Sequence, residues 1–365
     1  MIRIKDIIRE LETIAPRSYQ EAYDNSGLLV GNNDTDVKGV LITLDVTEKV
    51  VQEAIDRSCN VIIAHHPIIF KGLKSLTGKN YVERTVLMAI KNDVAIYAIH
   101  TNLDNVNNGV NKKICNKIGL NQTRILKPKT GLMSKLITFV PPEVKEEVLN
   151  ALYNAGAGQI GNYKNCSFSS EGTGTFTPSV EANPTIGTND KPETVKEHRV
   201  EVIFPSYLTT GVINSLKAAH PYEEVAYYVS TIENENQEVG SGMIGILENE
   251  MEPMFFLELL KNKMNLKCIR HTEFSRKKIK TVAVCGGSGS FLLLAAKAQS
   301  ADVFITADFK YHEFFDAEGA IIIADIGHYE SEVFTKELLH DILSEKFDKF
   351  ALNLSKIDTN PISYI

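Results

Sequence analysis

Apolar positions fall in short continuous blocks toward the two ends of the chain and in a looser pattern through its middle. Residues 39–45 (GVLITLD), 60–64 (NVIIA) and 94–99 (VAIYAI) are unbroken or nearly unbroken apolar runs rich in β-branched residues. Such runs predict strands buried on both faces. Between them the spacing changes to three and four. Thr47 stands where it can cap a helix whose inner face is Val50, Val51, Ala54 and Ile55. A second helix is expected over 82–91, and a third over 110–118 that stops at Gly119. This alternation predicts a mostly parallel sheet covered by helices.

From about residue 280 the same grammar returns. TVAVC (281–285) reads as a strand, GGSGS (286–290) as a turn and FLLLAAKAQ (291–299) as a helix; DVFIT (302–306) and AIIIAD (320–325) read as strands, and ESEVFTKELLHDIL (330–343) as one helix. Val40–Asp45 aligns without gaps on Val282–Gly287, and Asn60–Ala64 on Asp302–Thr306. An internal duplication and the shared rhythm of any two βαβ units would both produce this. The middle differs: a strand over 133–140, a helix over 142–154, loops and short hairpins across the Gly-, Ser-, Thr-, Asn- and Pro-rich 160–193, then a strand at 197–204, a helix at 207–219 and a strand at 222–232. That order fits a split βαβ or ferredoxin-like module. The expected fold class is therefore α/β, with two βαβ-type halves (1–126 and 239–365) forming one metal-binding core and an α+β ferredoxin-like domain (127–238) inserted between them.

Composition narrows the function classes. Lys and Arg number 39 against 46 Asp and Glu, a net charge of −7, which argues against nucleic acid as a partner. The longest apolar runs, Val94–Ile99 and Phe291–Ala296, are far shorter than the roughly 20 residues of a membrane span. MIRIKDIIRELE lacks the apolar stretch of a secretory leader, and the five scattered cysteines contain no CxxC pair. Both fit a cytoplasmic protein without a thiolate metal site.

Histidines supply the candidate chemistry. His65-His66 follows the strand 60–64, His100 follows 94–99, and His328 follows 320–325 by a short turn. Ligands of open parallel sheets bind beyond the carboxyl ends of the strands, so these side chains should converge on one edge of one sheet if both halves share it. Asp104 lies four residues after His100, and Glu332 four after His328 at the start of a helix, a spacing that puts both groups on one face of a turn. Imidazole with carboxylate suits zinc, iron or manganese. Strand neighbours point to opposite sides, so adjacent histidines reach one ion awkwardly but can flank two. Two tetrahedral ions offer about eight positions; three imidazoles, one bridging carboxylate and one further carboxylate fill about six and leave room for a bridging water. Asp308 and His312, near the strand end at Thr306, either support such a site from outside or belong to a solvated loop. Asp45 reads as a helix cap and Asp24-Asn25 as a turn. GGSGS lacks the Lys-Ser/Thr of a P-loop and reads as a tight turn. His198, His220, His271 and His340 are read as ordinary surface or core residues and not as ligands.

The blocks HHPIIF (65–70), HTNLDN (100–105), TADFKYH (306–312) and DIGHYESE (325–332) resemble, in order, the signature blocks of the NIF-three-like dinuclear metal-centre family, whose members carry the name GTP cyclohydrolase 1 type 2 homolog. The likeness covers essentially the whole chain. HPYEEVAYYV (220–229) is similar to the middle module of the long bacterial form, which resembles nitrogen-regulatory and copper-tolerance ferredoxin-like proteins. The resemblance implies two divalent ions per subunit, zinc first and iron or manganese as alternatives. It implies as ligands His65, His66, Asp104, His328 and Glu332, with the Asp bridging, and it places His100 and the 306–312 stretch nearby. It also implies a homohexameric ring. TAD at 306–308 departs mildly from the family, where Gly is common in the middle position, with no expected effect on ligation. Two functions follow. One is a metal-dependent hydrolase of a small nucleotide-like or amide substrate, with His100 moving protons. The other is a non-enzymatic metal-binding or regulatory protein whose inserted module takes an effector or a partner. No residues mark a guanine pocket, and fold and site alone do not fix a substrate.

Overall fold

The computed structural model describes residues 1–365, which fold into two compact units: Met1–Pro128 with Glu238–Ile365, and Lys129–Gln237. No helix is long and apolar enough to cross a membrane.

The larger unit is α/β and holds two sheets, so the two halves do not share the one sheet on which convergence of the histidines is conditional. The first contains β1 (Gly27–Val30), β2 (Gly39–Thr43), β3 (Val61–Ala64), β4 (Ala95–Ala98) and β15 (Ala351–Leu354), in the order β1-β4-β3-β2-β15. β15, β2, β3 and β4 are parallel, and β1 is an antiparallel edge. Every residue of β2, β3 and β4 is buried, as the continuous apolar runs require. The Thr47 hydroxyl accepts from the Val50 N–H and starts the helix Glu48–Asp56, whose Val50, Val51 and Ala54 join Leu41 and Ile62 in one core. Gly119, at φ 93°, ends the helix Val110–Ile118 in the left-handed conformation that glycine tolerates best.

The second sheet contains β5 (Asn121–Lys129), β10 (Asn236–Met251), β11 (Arg270–His271), β12 (Ile279–Ser288), β13 (Val303–Ala307) and β14 (Ile322–Asp325), in the order β11-β14-β13-β12-β10-β5. β12, β13 and β14 are parallel. The gapless alignment read from the sequence has a structural counterpart: Val40 pairs with Val61, and Val282 with Val303, in the same register. Neither sheet is built by one half alone. β15 from the end of the chain covers the outer edge of β2, and β5 from the first half sits at an edge of the second sheet. Covering an edge removes the unpaired backbone groups that invite misassociation.

Two local expectations are corrected. GGSGS is not simply a turn, because β12 runs on through Gly286 and Gly287 to Ser288. The helix expected over 330–343 is two, His328–Glu332 and Thr335–Ser344.

The smaller unit has one antiparallel sheet of β6 (Met133–Val140), β7 (Phe168–Phe176), β8 (Glu193–Pro205) and β9 (Tyr227–Ile232), in the order β7-β8-β6-β9. With the helices Lys145–Asn154 and Thr209–Ala219 the connectivity is β-α-β-β-α-β. Leu136, Val148, Phe204 and Val212 form its core. β7 occupies part of the stretch expected to be loops and short hairpins. It is an exposed edge strand, FSSEGTGTF, without the alternating apolar face that reveals a strand. Residues 222–226 lie outside β9, which begins at Tyr227.

Candidate metal centre

The carboxyl ends of the parallel strands deliver the chemistry, and both sheets contribute. β3 ends into His65 and His66, and β4 leads to His100 and the single helical turn Thr101–Asp104. Beyond β14 the chain turns at Gly327, φ 89°, and opens the helix His328–Glu332. The i, i+4 spacing within that helix sets His328 Nε2 3.1 Å from Glu332 Oε2. His66 Nε2 lies 2.9 Å from the same carboxylate oxygen. His65 Nε2 is 3.5 Å from Asp104 Oδ1 and 4.0 Å from Glu332 Oε1. The donor atoms form three groups, each within 4.8 Å: His66, His328 and Glu332; His65, Asp104 and Glu332; and His65, His66 and His100. Glu332 is the carboxylate common to two groups, whereas Asp104 belongs to one.

Each imidazole is also held from behind. His65 Nδ1 donates to the Ile99 carbonyl at 2.9 Å, His66 Nδ1 to Asp45 Oδ1 at 2.7 Å, and His328 Nδ1 to Asp308 Oδ2 at 2.6 Å. His100 Nδ1 donates to Asp24 Oδ1 at 2.8 Å, and Asp24 also accepts from the Thr101 backbone and hydroxyl. An acceptor on Nδ1 fixes the ring's orientation and its tautomer and leaves Nε2 as the inward-facing nitrogen. Despite their spacing, His100 and Asp104 fall in different donor groups, which share only His65. His100 turns to Asp24, and Asp104 turns to His65.

Burial and pairing drive the titrating groups apart. Burial pushes His65 down to about 3, keeping it a neutral donor of its Nε2 lone pair. Burial also works against a charge on His66 and His328, but their carboxylate bonds prevail. Those to Asp45 and Glu332 raise His66 to about 9, and those to Asp308 and Glu332 raise His328 to about 11. Burial and then the nearby Glu332 charge raise the Asp104 carboxyl. Glu332 is held low against the pull of burial by the His328 and His66 imidazoles. His65 Nε2 and Asp104 Oδ1 are buried without a hydrogen-bond partner. Orphaned polar atoms of this kind are costly, and here two face each other within a cluster of further imidazole and carboxylate donors. Such a donor set could hold a metal ion.

A cavity of about 720 Å³ opens beside the cluster, with walls that include Tyr23, Phe70, Tyr81, Phe291 and Ile362. Cys285 also lines it; burial and the Asp104 and Glu332 charges raise its thiol pKa, and it belongs to none of the three donor groups. Asp308 sits at the end of β13 against His328. His312 lies exposed between Tyr311 and Phe315, and its ring contacts are with those two rings. The sequence reading gave Asp24 and Gly287 to turns and Asp45 to a helix cap, and none of them to the site. Asp45 offered a signal, since it stands just past the carboxyl end of β2 as His65 does past β3. Gly287, at φ 60°, leaves the space that Glu332 occupies: a Cβ there would clash with Glu332 Oε1.

Comparison with known proteins matches residues 2–361 to Duf34/NIF3 (NGG1p interacting factor 3). The chain is 38% identical to a protein of Bacillus subtilis (strain 168) named GTP cyclohydrolase 1 type 2 homolog, over 99% of this chain and 98% of that one. It is 37% identical to a protein of the same name from Staphylococcus aureus (strain MSSA476), over 100% of both. A solved structure of a Bacillus cereus protein related to NIF3 matches with a TM-score of 0.87 and 39% identity, covering 100% of this chain and 99% of that chain.

Proposed function

The chain belongs to the Duf34/NIF3 family, and from that premise we propose a metal-dependent hydrolase whose centre takes two divalent cations, zinc or else iron or manganese, on His65, His66, Asp104, His328 and Glu332. One observation carries the reading. The three imidazoles of that set are tied at Nδ1 by an outer acceptor, so that their Nε2 atoms converge on two carboxylates. When bound, the cations supply an acidified water as nucleophile and polarise the scissile bond.

The chain's own residues do the rest. Asp24 holds His100 with Nε2 as its free nitrogen, at the cavity wall beside His65 and His66. His100 Nε2 takes the proton of the attacking water and returns it to the leaving group. Phe70 meets the His100 ring edge-on, with 5.6 Å between ring centres. The homohexamer implied by the resemblance and the cytoplasmic location read from the scattered cysteines belong to the same proposal; sedimentation of the intact protein tests the former.

The test is elemental analysis of protein purified without chelator, followed by turnover of nucleotides including GTP, phosphoesters and cyclic amides. Wild type should carry about two ions per chain and hydrolyse at least one class. His66→Ala should lose at least about 100-fold in turnover, beyond what loss of an outer partner usually costs. Equal turnover by the two proteins removes the hydrolase reading.

A regulatory reading is favoured by a second cavity, of about 290 Å³, within Lys129–Gln237. Phe139, Phe176, Tyr222 and Glu197 line it, and burial and then the Glu197 charge raise the Tyr222 hydroxyl pKa. In this reading the cavity takes an effector. A metabolite screen by thermal shift on the intact protein, with Tyr222→Phe as control, tests it. No shift for any compound counts against it.

A further inference from the structure

We infer that the segment following β15 is a strap that positions the candidate metal centre, and that Thr359 is the residue through which it orients His66. The inference rests on the proposed ligand set and goes beyond it.

Residues 355–365 form neither helix nor strand, yet they are tied down repeatedly. β15 pairs with β2, and the Ser355 N–H continues that ladder to the Ile42 carbonyl at 2.8 Å. The Ser355 hydroxyl and the Lys356 N–H both reach the Glu53 carboxylate, at 2.6 and 3.0 Å. The chain then crosses toward the cluster. The Thr359 hydroxyl donates to Asp45 Oδ2 at 2.6 Å, and the Asn360 side-chain amide donates to Glu330 Oε1 at 3.0 Å.

These last two contacts fall on the two sides of the centre. Asp45 uses its other oxygen, Oδ1, to accept from His66 Nδ1 at 2.7 Å. With both oxygens engaged, the carboxylate plane is fixed, and so is the ring that leans on it. Remove the Thr359 hydroxyl and the carboxylate can rotate about its last bond, taking the direction of His66 Nε2 with it. Glu330 belongs to the single helix His328–Glu332 that presents two of the proposed ligands from the second sheet. The strap therefore spans from the Asp45–His66 pair, beside the first sheet, to the helix beside the second. It ties together two groups that reach the centre from separate sheets. Asn360, Pro361 and Ile362 continue along the cavity wall. Thr359 is thus a positioning residue: it lines the cavity, and its hydroxyl acts on His66 through Asp45.

Full-length wild type, Thr359→Val and Thr359→Ser are stripped with chelator, titrated with zinc in competition with a chromophoric chelator, and loaded separately with cobalt(II) for visible spectroscopy. Valine keeps the shape and removes the donor, whereas serine keeps the donor. Thr359→Val should weaken one of the two ions about tenfold, the lower end of the effect of losing an outer partner, and alter the cobalt spectrum. Thr359→Ser should restore both. Asn360→Ala, which cuts the tie to Glu330 alone, is the second variant should valine not fold, and it should weaken binding in the same direction. If wild type binds two ions and both Thr359→Val and Asn360→Ala bind them with wild-type affinity and spectrum, the strap is a mere cover and the inference is overturned while the metal reading stands. If wild type takes up no metal, the metal reading falls, and this inference falls with it.

Discussion

The Glu83 carboxylate shows how one side chain can shape the cavity without touching the centre. It is almost wholly buried and accepts from the Thr77 backbone and hydroxyl at 2.8 and 3.0 Å, the Lys79 backbone at 3.3 Å and the Asn80 amide at 3.2 Å. These bonds pin the loop between Phe70 and Tyr81, both of which line the cavity. The Thr77 N–H is the largest influence, and together the donors hold Glu83 at about 2, below its ordinary value of 4.5. A depressed folded-state pKa means that the stabilisation is complete above about pH 4.5 and is lost as pH falls toward 2. Glu83→Gln should therefore flatten the acid limb: urea midpoints at pH 5 and pH 3 should differ less in the variant than in wild type. Asp45 makes the complementary point. Its neighbours in sequence identify a strand end and a helix start, and nothing local says that its carboxylate meets His66, 21 residues on.

At the scale of the element, β12 carries a constraint that its sequence partly concealed. Gly286 and Gly287 read as turn residues, yet the strand continues through both, and Gly287 leaves room for the Glu332 carboxylate. Gly287→Ala imposes a Cβ at φ 60°, worth roughly 1–2 kcal/mol of backbone strain. It also displaces Glu332, the carboxylate shared by two donor groups. The variant should melt earlier than wild type and bind less metal, by calorimetry and elemental analysis. Retention of full metal content would mean that Glu332 does not need this space. The long helix expected after His328 is instead two, and the first, only five residues long, carries both His328 and Glu332. Apolar spacing marks which residues are helical; it does not reveal a break of two residues.

Taken whole, the larger unit sets a half-buried Asp104 close to the buried Glu332, with His65 Nε2 and Asp104 Oδ1 unpartnered. A cation that binds only the folded state stabilises it by about 2.7 kcal/mol at a hundredfold excess over Kd. Chelator should lower the melting temperature, zinc should restore it in a concentration-dependent way, and His65→Ala should blunt both responses. A melting temperature indifferent to chelator and zinc would contradict this. The sequence by itself determined the positions of β2, β3, β4, β13 and β14 and placed His65, His66, His100 and His328 just beyond strand ends. Buried parallel strands need continuous apolar runs, and those are written locally. Only the tertiary structure decided that there are two sheets, that β5 and β15 join the sheet of the opposite half, and that Glu332 meets His66 across 266 residues. Those outcomes depend on how sheets dock and edges are covered, and no local pattern of residues encodes a contact between strand ends brought together from separate layers.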